Sequence, residues 1–392
     1  MRKWMGRVVV ALCLAQTGWA IASDGTGHDA FERQIKTVLA PLAGQAVAGL
    51  KVLHLSADVG PWQDTGMQVQ PGERITLVLT GQVWLSRQHQ LALEPYLQVW
   101  HRIGDRGQIA RGARNTDTFT ARESGTLQLK NLPTRWLDRQ GRYTGEPAAV
   151  NPDAGGGMHI AVIRWAKGAD VPAELGRLAA QADAPAWPAA ERERLAHPAT
   201  APAGWQYLWE LGPADIFKTV APSADGGPAS PRLGVHTHKD VAILQKPVQQ
   251  VLTPQTRLQW SWRIDALPAL GPENSPIHHD YLSIAVEFDN GQDLTYLWSR
   301  ELPVGLSFRC PLAGWKDRET HIVARSGSGD LQKWLNEDVN VWEDYRRAVG
   351  GPMPRRITRV WVIANSVFGR QTGTAQLADI RLQNGARQLK VW

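Results

Sequence analysis

The run Leu258-Gln259-Trp260-Ser261-Trp262-Arg263-Ile264 alternates apolar and polar residues without a break. A period of two sends successive side chains to opposite faces, so Leu258, Trp260, Trp262 and Ile264 share one face. A half-buried strand fits that pattern, and two tryptophans on its inner face require a second apolar layer to pack against.

The same period recurs along most of the chain. Tyr281 to Phe288 and Leu294 to Trp298 flank Asp289-Asn290-Gly291, where Asn-Gly marks a hairpin. Thr320 to Arg325, Ile357 to Ala364 and Ala375 to Leu382 read as further strands. Upstream, Val52, Leu53 and Leu55 precede the turn Gln70-Pro71-Gly72-Glu73. Ile75, Leu77 and Leu79 then alternate with polar residues, and Tyr96 to Trp100, Gly125 to Leu129 and His159 to Trp165 continue the pattern. Short strands closely punctuated by turn residues predict a mainly all-β fold of two antiparallel β-sandwich domains, galactose-binding-like or jelly-roll in build, with a few short helices.

Two segments break the pattern. Phe31, Ile35, Val38, Leu39 and Leu42 fall on one face of an amphipathic helix, closed by Pro41 and Gly44. Between Lys167 and Ala203, alanine, proline and charged residues dominate, and only Val171 to Ala182 reads as a helix. By composition this stretch is a semi-rigid linker. The expected division is therefore a signal peptide (1–22), an N-terminal helix (23–47), a first sandwich (48–167), a linker (168–203) and a second sandwich (204–392).

Arg2, Lys3 and Arg7 precede a short apolar run from Val8 to Ala15, and Ala20-Ile21-Ala22 forms an A-x-A cleavage box. This is the layout of an export signal, which predicts a periplasmic or secreted protein with a mature chain starting at Ser23. No later run is long and apolar enough for a transmembrane helix. Loss of the three signal bases lowers the formal charge from +6 to +3, too weak a bias to argue for nucleic acid or an anionic membrane. Cleavage also removes Cys13 and leaves Cys310 alone, so no intramolecular disulfide is expected, and Cys310 reads as a small buried hydrophobe.

Two resemblances follow from these motifs. WQDTGMQVQPGERITLVLTG, then WHRIGDRGQI, TFTARESGTLQLKNL and GGGMHIAVIRW resemble the small β-sandwich of PA-I-type galactophilic lectins. There a calcium ion held by the loop before the last strand bridges to sugar hydroxyls. The resemblance implies a calcium-binding role for Asp138, Asn151 and Asp153 in the loop from Trp136 to Gly157, although the lectin's Asn-Asn pair is absent. As residues alone, the three read equally as turn formers. In the second half WSWRIDALP, LTYLWS, HIVARSG, WLNEDVNVWEDYRRAVG and ADIRL resemble the uncharacterised domain-of-unknown-function family numbered 3047. That resemblance implies fold and exported location more than chemistry. Two loops depart from the family pattern, at His278-His279-Asp280 and at Asn365-Ser366-Val367-Phe368-Gly369.

Acids and aromatics are densest from Leu331 to Gly350. Glu337, Asp338, Asp344 and Tyr345 are the catalytic candidates, beside Glu343, because glycan cleavage uses paired carboxylates or a tyrosine with basic groups. A structural reading is also available: Asn340 and Glu343 form a capping box, Asp344 sits in the first turn, and Arg346 and Arg347 suit the helix C-terminus. His236-Thr237-His238 has better metal geometry than His278-His279, whose neighbouring side chains would point apart, but neither has a third ligand in view. Eighteen tryptophans suit an exported sugar-binding chain, since indole faces stack on sugar C–H faces. Trp260, Trp262 and Trp361 are expected in cores; Trp62, Trp136, Trp187, Trp315 and Trp334, with Asp64, are the ligand-contact candidates. The expected function is glycan binding through loop tryptophans and calcium, against a glycan-degrading hydrolase or lyase, or a non-catalytic envelope assembly factor.

Overall fold

The computed structural model describes residues 25–58, 60–133, 135–144 and 154–392; the expected signal peptide, Asn151 and Asp153 lie outside them. In the first half, Val47–Ser56, Gly155–Trp165 and Arg74–Ser86 pair in that order, and both Leu91–Leu93 and Thr116–Thr120 pair with Arg74–Ser86. A three-stranded sheet of Gln63–Val69, Gly125–Asn131 and Val99–Ile103 covers one face of it. Ile75, Leu77, Leu79, Leu127, Leu129, Ile160 and Val162 fill the space between. The opposite face carries helices. Gly25–Leu39 lays Phe31, Ile35, Val38 and Leu39 on Ala161, Ile163 and Trp165.

In the second half Phe217–Val220, Arg232–His238, Thr372–Asn384, Thr256–Ala266 and Leu335–Asn340 make one sheet. The facing sheet runs Ser307–Arg309, Glu319–Ser326, Asp293–Ser299, Tyr281–Phe288, Arg356–Asn365, Val241–Val251 and Gln206–Tyr207, with one parallel pair, Asp293–Ser299 against Glu319–Ser326. The predicted inner face is present: Leu258, Trp260, Trp262 and Ile264 are all fully buried. Trp260 meets Tyr296 at 5.8 Å and Trp262 meets Trp298 at 5.5 Å between ring centroids, locking the two sheets together. The Asn-Gly hairpin joins Tyr281–Phe288 to Asp293–Ser299, with Gly291 at φ +79°, a left-handed turn that glycine adopts without steric cost. Trp361 is buried on the outer face of this sheet, with Tyr281, Leu297 and Ile363.

Two expectations need correction. Tyr96 to Trp100 is not one strand, because Pro95–Gln98 first forms a helical turn with proline at its opening position, and the strand begins at Val99. The Ala/Pro-rich stretch is not a loose linker. Val171–Ala179 and Trp187–Ala196 are helices, and Val171, Leu175 and Leu178 are buried against the first sheet. Asp170 caps the first helix by accepting from Ala173 N, and Arg194 of the second reaches Asp117 at 3.5 Å. Composition misled because each helix starts with proline inside its first turn, where the missing N–H costs nothing.

The halves are bolted together by polar groups. Arg114 pairs with Asp215, Arg111 Nε donates to Leu211 O, and Arg370 donates to Ala92 O and pairs with Glu94 at 3.5 Å. Val367 also packs on the core of the first half.

Candidate functional site

The run from Leu331 to Gly350 folds as a strand, Leu335–Asn340, then one α-helical turn, Val341–Asp344, and a π-helical turn, Tyr345–Val349. Asn340 caps the turn by accepting from Glu343 N at 3.1 Å, and Gly350 ends it at φ +73°. The acids do not converge on a cleft. Glu337 Oε1 accepts from Arg325 Nε at 2.7 Å and from the Trp262 indole N–H at 3.0 Å. Asp338 pairs with Arg257 at 2.5 Å, Glu343 with Arg346, and Asp344 with Arg347 at 3.0 Å while accepting from the Tyr296 hydroxyl at 3.1 Å. Tyr345 is buried against Phe288 and accepts from Asn290 Nδ2 at 2.8 Å. Of the catalytic candidates, Glu337, Asp338 and Asp344 are each paired with a guanidinium and Tyr345 with Asn290, so each has a structural role in the fold.

The tryptophan candidates separate. Trp136, expected as an exposed stacking surface, is only 3% exposed and packs between Trp62 and Trp100. Trp187 packs against the helix-covered face of the first half, and Trp334 lies under the Arg232 guanidinium at 4.6 Å. Trp315 is half-buried between Arg318, 3.9 Å over its ring, and Trp361. Trp62 is half-buried, stacked on Trp136 at 5.7 Å and covered by Arg102 at 4.3 Å. Asp64 closes a local turn by accepting from Gly66 N. Asp138 does the same, accepting from Gln140 N, Arg142 N and the Arg142 guanidinium, which with the backbone bonds holds its carboxyl below the usual range.

Beside Trp62 the first half opens into a cleft of about 640 Å³, lined by His101, Arg102, Gln108, Arg111, Asp117 and Phe119, among others. The strand Val99–Ile103 supplies His101 and Arg102, and Thr116–Thr120 supplies Asp117 and Phe119. His101 and Phe119 stack face to face at 4.2 Å. Burial pushes His101 down to about 4, so its ring is neutral, and pushes Asp117 up to about 6 against the pull of Arg194. Arg102 bridges Trp62 and the cleft, its Nε held by Gln128 at 2.7 Å. Apart from the neighbouring Trp62, the sequence reading missed this cleft, because its residues are scattered over one strand edge and the loops around it.

A second cluster lies on the outer face of the seven-stranded sheet. His279 precedes Tyr281–Phe288, Cys310 follows Ser307–Arg309, and Glu319 and His321 share one face of Glu319–Ser326. All four are buried, and one ligand-type atom from each lies within 4.8 Å of the others. His279 Nδ1 donates to Glu273 O at 2.5 Å, which leaves Nε2 with its lone pair facing Cys310 Sγ at 3.3 Å. Burial, then the adjacent His321, push His279 down to about 4 and so keep the imidazole neutral. The Tyr281 and Thr295 hydroxyls each donate to Glu319 Oε1 at 3.2 Å. Among the described residues neither ring nitrogen of His321 has a hydrogen-bond partner, although the ring is wholly buried and its Nε2 lies 3.6 Å from Glu319. Burial raises the Cys310 thiol well above its ordinary range.

His278 ends the 3-10 turn Pro276–His278 and His279 follows it, so neither lies on a strand, contrary to expectation, and of the two His279 joins the cluster. The period-two rule puts Glu319 and His321 on one face, and that Glu-x-His spacing was the available signal. His236 and His238, the better pair by sequence, are exposed and bond only threonine hydroxyls. The two loops that depart from the family pattern meet here: Asp280 accepts from Phe368 N and Gly369 N, and Asn365 Nδ2 donates to His279 O at 2.7 Å.

Residues 228–381 match the family described as protein of unknown function (DUF3047). No curated protein matches the chain. Among solved structures, the chain is similar to the N-terminal domain of EclA, a PllA-like lectin, at 16% identity and TM-score 0.22 over 29% of this chain and 95% of that one. It is similar to the xyloglucanase domain of NopAA, a type three effector from Sinorhizobium fredii in complex with cellobiose, at 10% identity and TM-score 0.28 over 47% and 94%. An exo-beta-agarase matches at 11% identity and TM-score 0.27 over 49% of this chain and 24% of its own. None of the three reaches a TM-score of 0.5.

Proposed function

We propose that this is an exported glycan-binding protein whose sugar site is the cleft beside Trp62. The observation that supports the reading is the chemistry of that cleft. Planar polar groups, Arg102, Gln108, Asp117 and His101, line a space of about 640 Å³ next to the half-buried Phe119 ring. Adjacent sugar hydroxyls are matched by side chains that offer two donors or acceptors in one plane, and a sugar's C–H face packs on an aromatic ring. Export, read from the first 22 residues, would place such a site among envelope or extracellular polysaccharides. A calcium-assisted contact through Asp138, Asn151 and Asp153 belongs to the same proposal as a second point of attachment.

Isothermal titration of the mature chain against a panel of neutral and acidic oligosaccharides tests the reading. Binding is expected for at least one member, weakened about tenfold or more by Arg102→Ala or Asp117→Asn, each removing a hydrogen-bonding or charged partner. A panel without binders, or binding that both substitutions leave unchanged, rejects the cleft as the site. Glu337, Asp338 and Asp344 are each paired with a guanidinium and line no common cleft, which favours the cleft beside Trp62 over a glycan-cleaving site at the acid run.

A further inference from the structure

We infer that His279, Cys310, Glu319 and His321 bind one divalent transition-metal ion of the zinc class. The ligand types come first. Two imidazoles, a thiolate and a carboxylate are the set that borderline divalent ions take, and four of them suit a tetrahedral centre closed to solvent. Metal–ligand bonds of about 2.0–2.3 Å put tetrahedral ligand atoms about 3.3–3.8 Å apart. The four here lie within 4.8 Å of one another, so side-chain shifts of about 1 Å complete the set without moving a strand.

Polar satisfaction is the second, independent observation. A buried imidazole with neither nitrogen hydrogen-bonded leaves a desolvated polar group uncompensated, which destabilises the fold. His321 is in that position, 3.6 Å from Glu319 and enclosed by Phe308, Tyr281 and His279. A metal bond to Nε2 or Nδ1 would satisfy it. The surroundings are also those of an oriented site. Glu273 O fixes the His279 tautomer, and two hydroxyls hold Glu319, the outer contacts that position metal ligands.

Charge closes the argument. A divalent cation with one thiolate, one carboxylate and two neutral imidazoles sums to zero, the condition under which an ion is least costly to bury. On binding, the thiol proton of Cys310 leaves to solvent and the sulfur lone pair forms the bond; the two imidazoles and the carboxylate bind through nitrogen and oxygen lone pairs in their deprotonated forms. A cavity of about 120 Å³ lined by Tyr281, Trp315, Asn365 and Phe368 reaches Glu319 and offers a route in. This site is in the other half from the sugar cleft and does not depend on it.

The test uses the mature full-length chain, stripped with chelator and titrated with Co(II) or Zn(II). One zinc per chain by elemental analysis is expected, together with a thiolate-to-cobalt charge-transfer band. Cys310→Ser should abolish the band and weaken zinc binding about tenfold or more, and His321→Ala should weaken it comparably. His236→Ala, on the exposed histidine pair, should leave both signals unchanged. Uptake well below one equivalent of both ions by a folded wild type overturns the inference, as does a band that survives Cys310→Ser. Should Cys310→Ser not fold, zinc-edge X-ray absorption of the wild type decides: one sulfur among four neighbours supports the site, and a shell without sulfur rejects it.

Discussion

The acid-rich run from Leu331 to Gly350 and the His279–Cys310–Glu319–His321 cluster are opposites. In the run, reactive-looking groups are adjacent in sequence, and each finds a partner: Glu337 with Arg325, Asp338 with Arg257, Asp344 with Arg347, and Tyr345 with Asn290. In the cluster the four groups span residues 279 to 321, yet fold into one buried knot in which His321 makes no hydrogen bond among the described residues. Density along a chain reflects local needs such as capping and ion pairing. Convergence of unsatisfied groups in space is the better sign of chemistry.

Four measurements would break or sharpen that contrast. If the run is structural, Tyr345→Ala should destabilise most, by about 3–5 kcal/mol in urea denaturation, because it empties a buried aromatic site on Phe288. If the cluster binds metal, zinc held at about 100 times its dissociation constant should add about 2.7 kcal/mol, read as a chelator-reversible rise in melting temperature. Glu337→Gln should cost about 1–3 kcal/mol through the Arg325 and Trp262 N–H bonds, and leave sugar binding in the cleft unchanged. Glu343→Gln should change stability by no more than about 0.5 kcal/mol, since its pair with Arg346 is largely exposed and screened by solvent. A large loss there would mean that the run has a role its ion pairs do not show.

Asp240 supplies a pH contrast to these paired acids. It is buried at the junction of the halves, and burial pushes its carboxyl up to about 6, with Arg111 pulling the other way. Its folded value is therefore above its unfolded one. Between about pH 4 and 6 the folded chain holds a proton that the unfolded chain has released, so stability falls as pH rises through that window. Histidines lowered by burial, such as His101 and His279, slope the other way, so the Asp240 contribution is read as the difference in urea midpoints between the wild type and Asp240→Asn from pH 4 to 7.

Much of the architecture was legible because strand periodicity is local. Leu258 to Ile264 named its own buried face, Asn290-Gly291 its hairpin, and Asn340 with Glu343 its cap. Legibility failed where a local rule met a tertiary partner. The Ala/Pro stretch looked solvated, but Leu175 and Leu178 had a sheet to cover. Trp136 looked exposed beside charged loop residues, but Trp62 and Trp100 enclose it. Cys310 was correctly read as buried, yet nothing near it in the chain names His279 or His321 as its neighbours.

What the sequence alone determined is the all-β build and the inner faces of its strands, because these follow from side-chain alternation and short-range composition. The tertiary structure decided which groups have partners. Packing of the two facing sheets brings Arg325 onto Glu337 and so quiets the acid run. Pairing within the seven-stranded sheet draws Glu319 and His321 beneath His279 and Cys310, where His321 lies 3.6 Å from Glu319 and makes no hydrogen bond among the described residues. Whether a polar side chain is spent on the fold or left over for chemistry is set by its neighbours in space, and a linear pattern does not specify those.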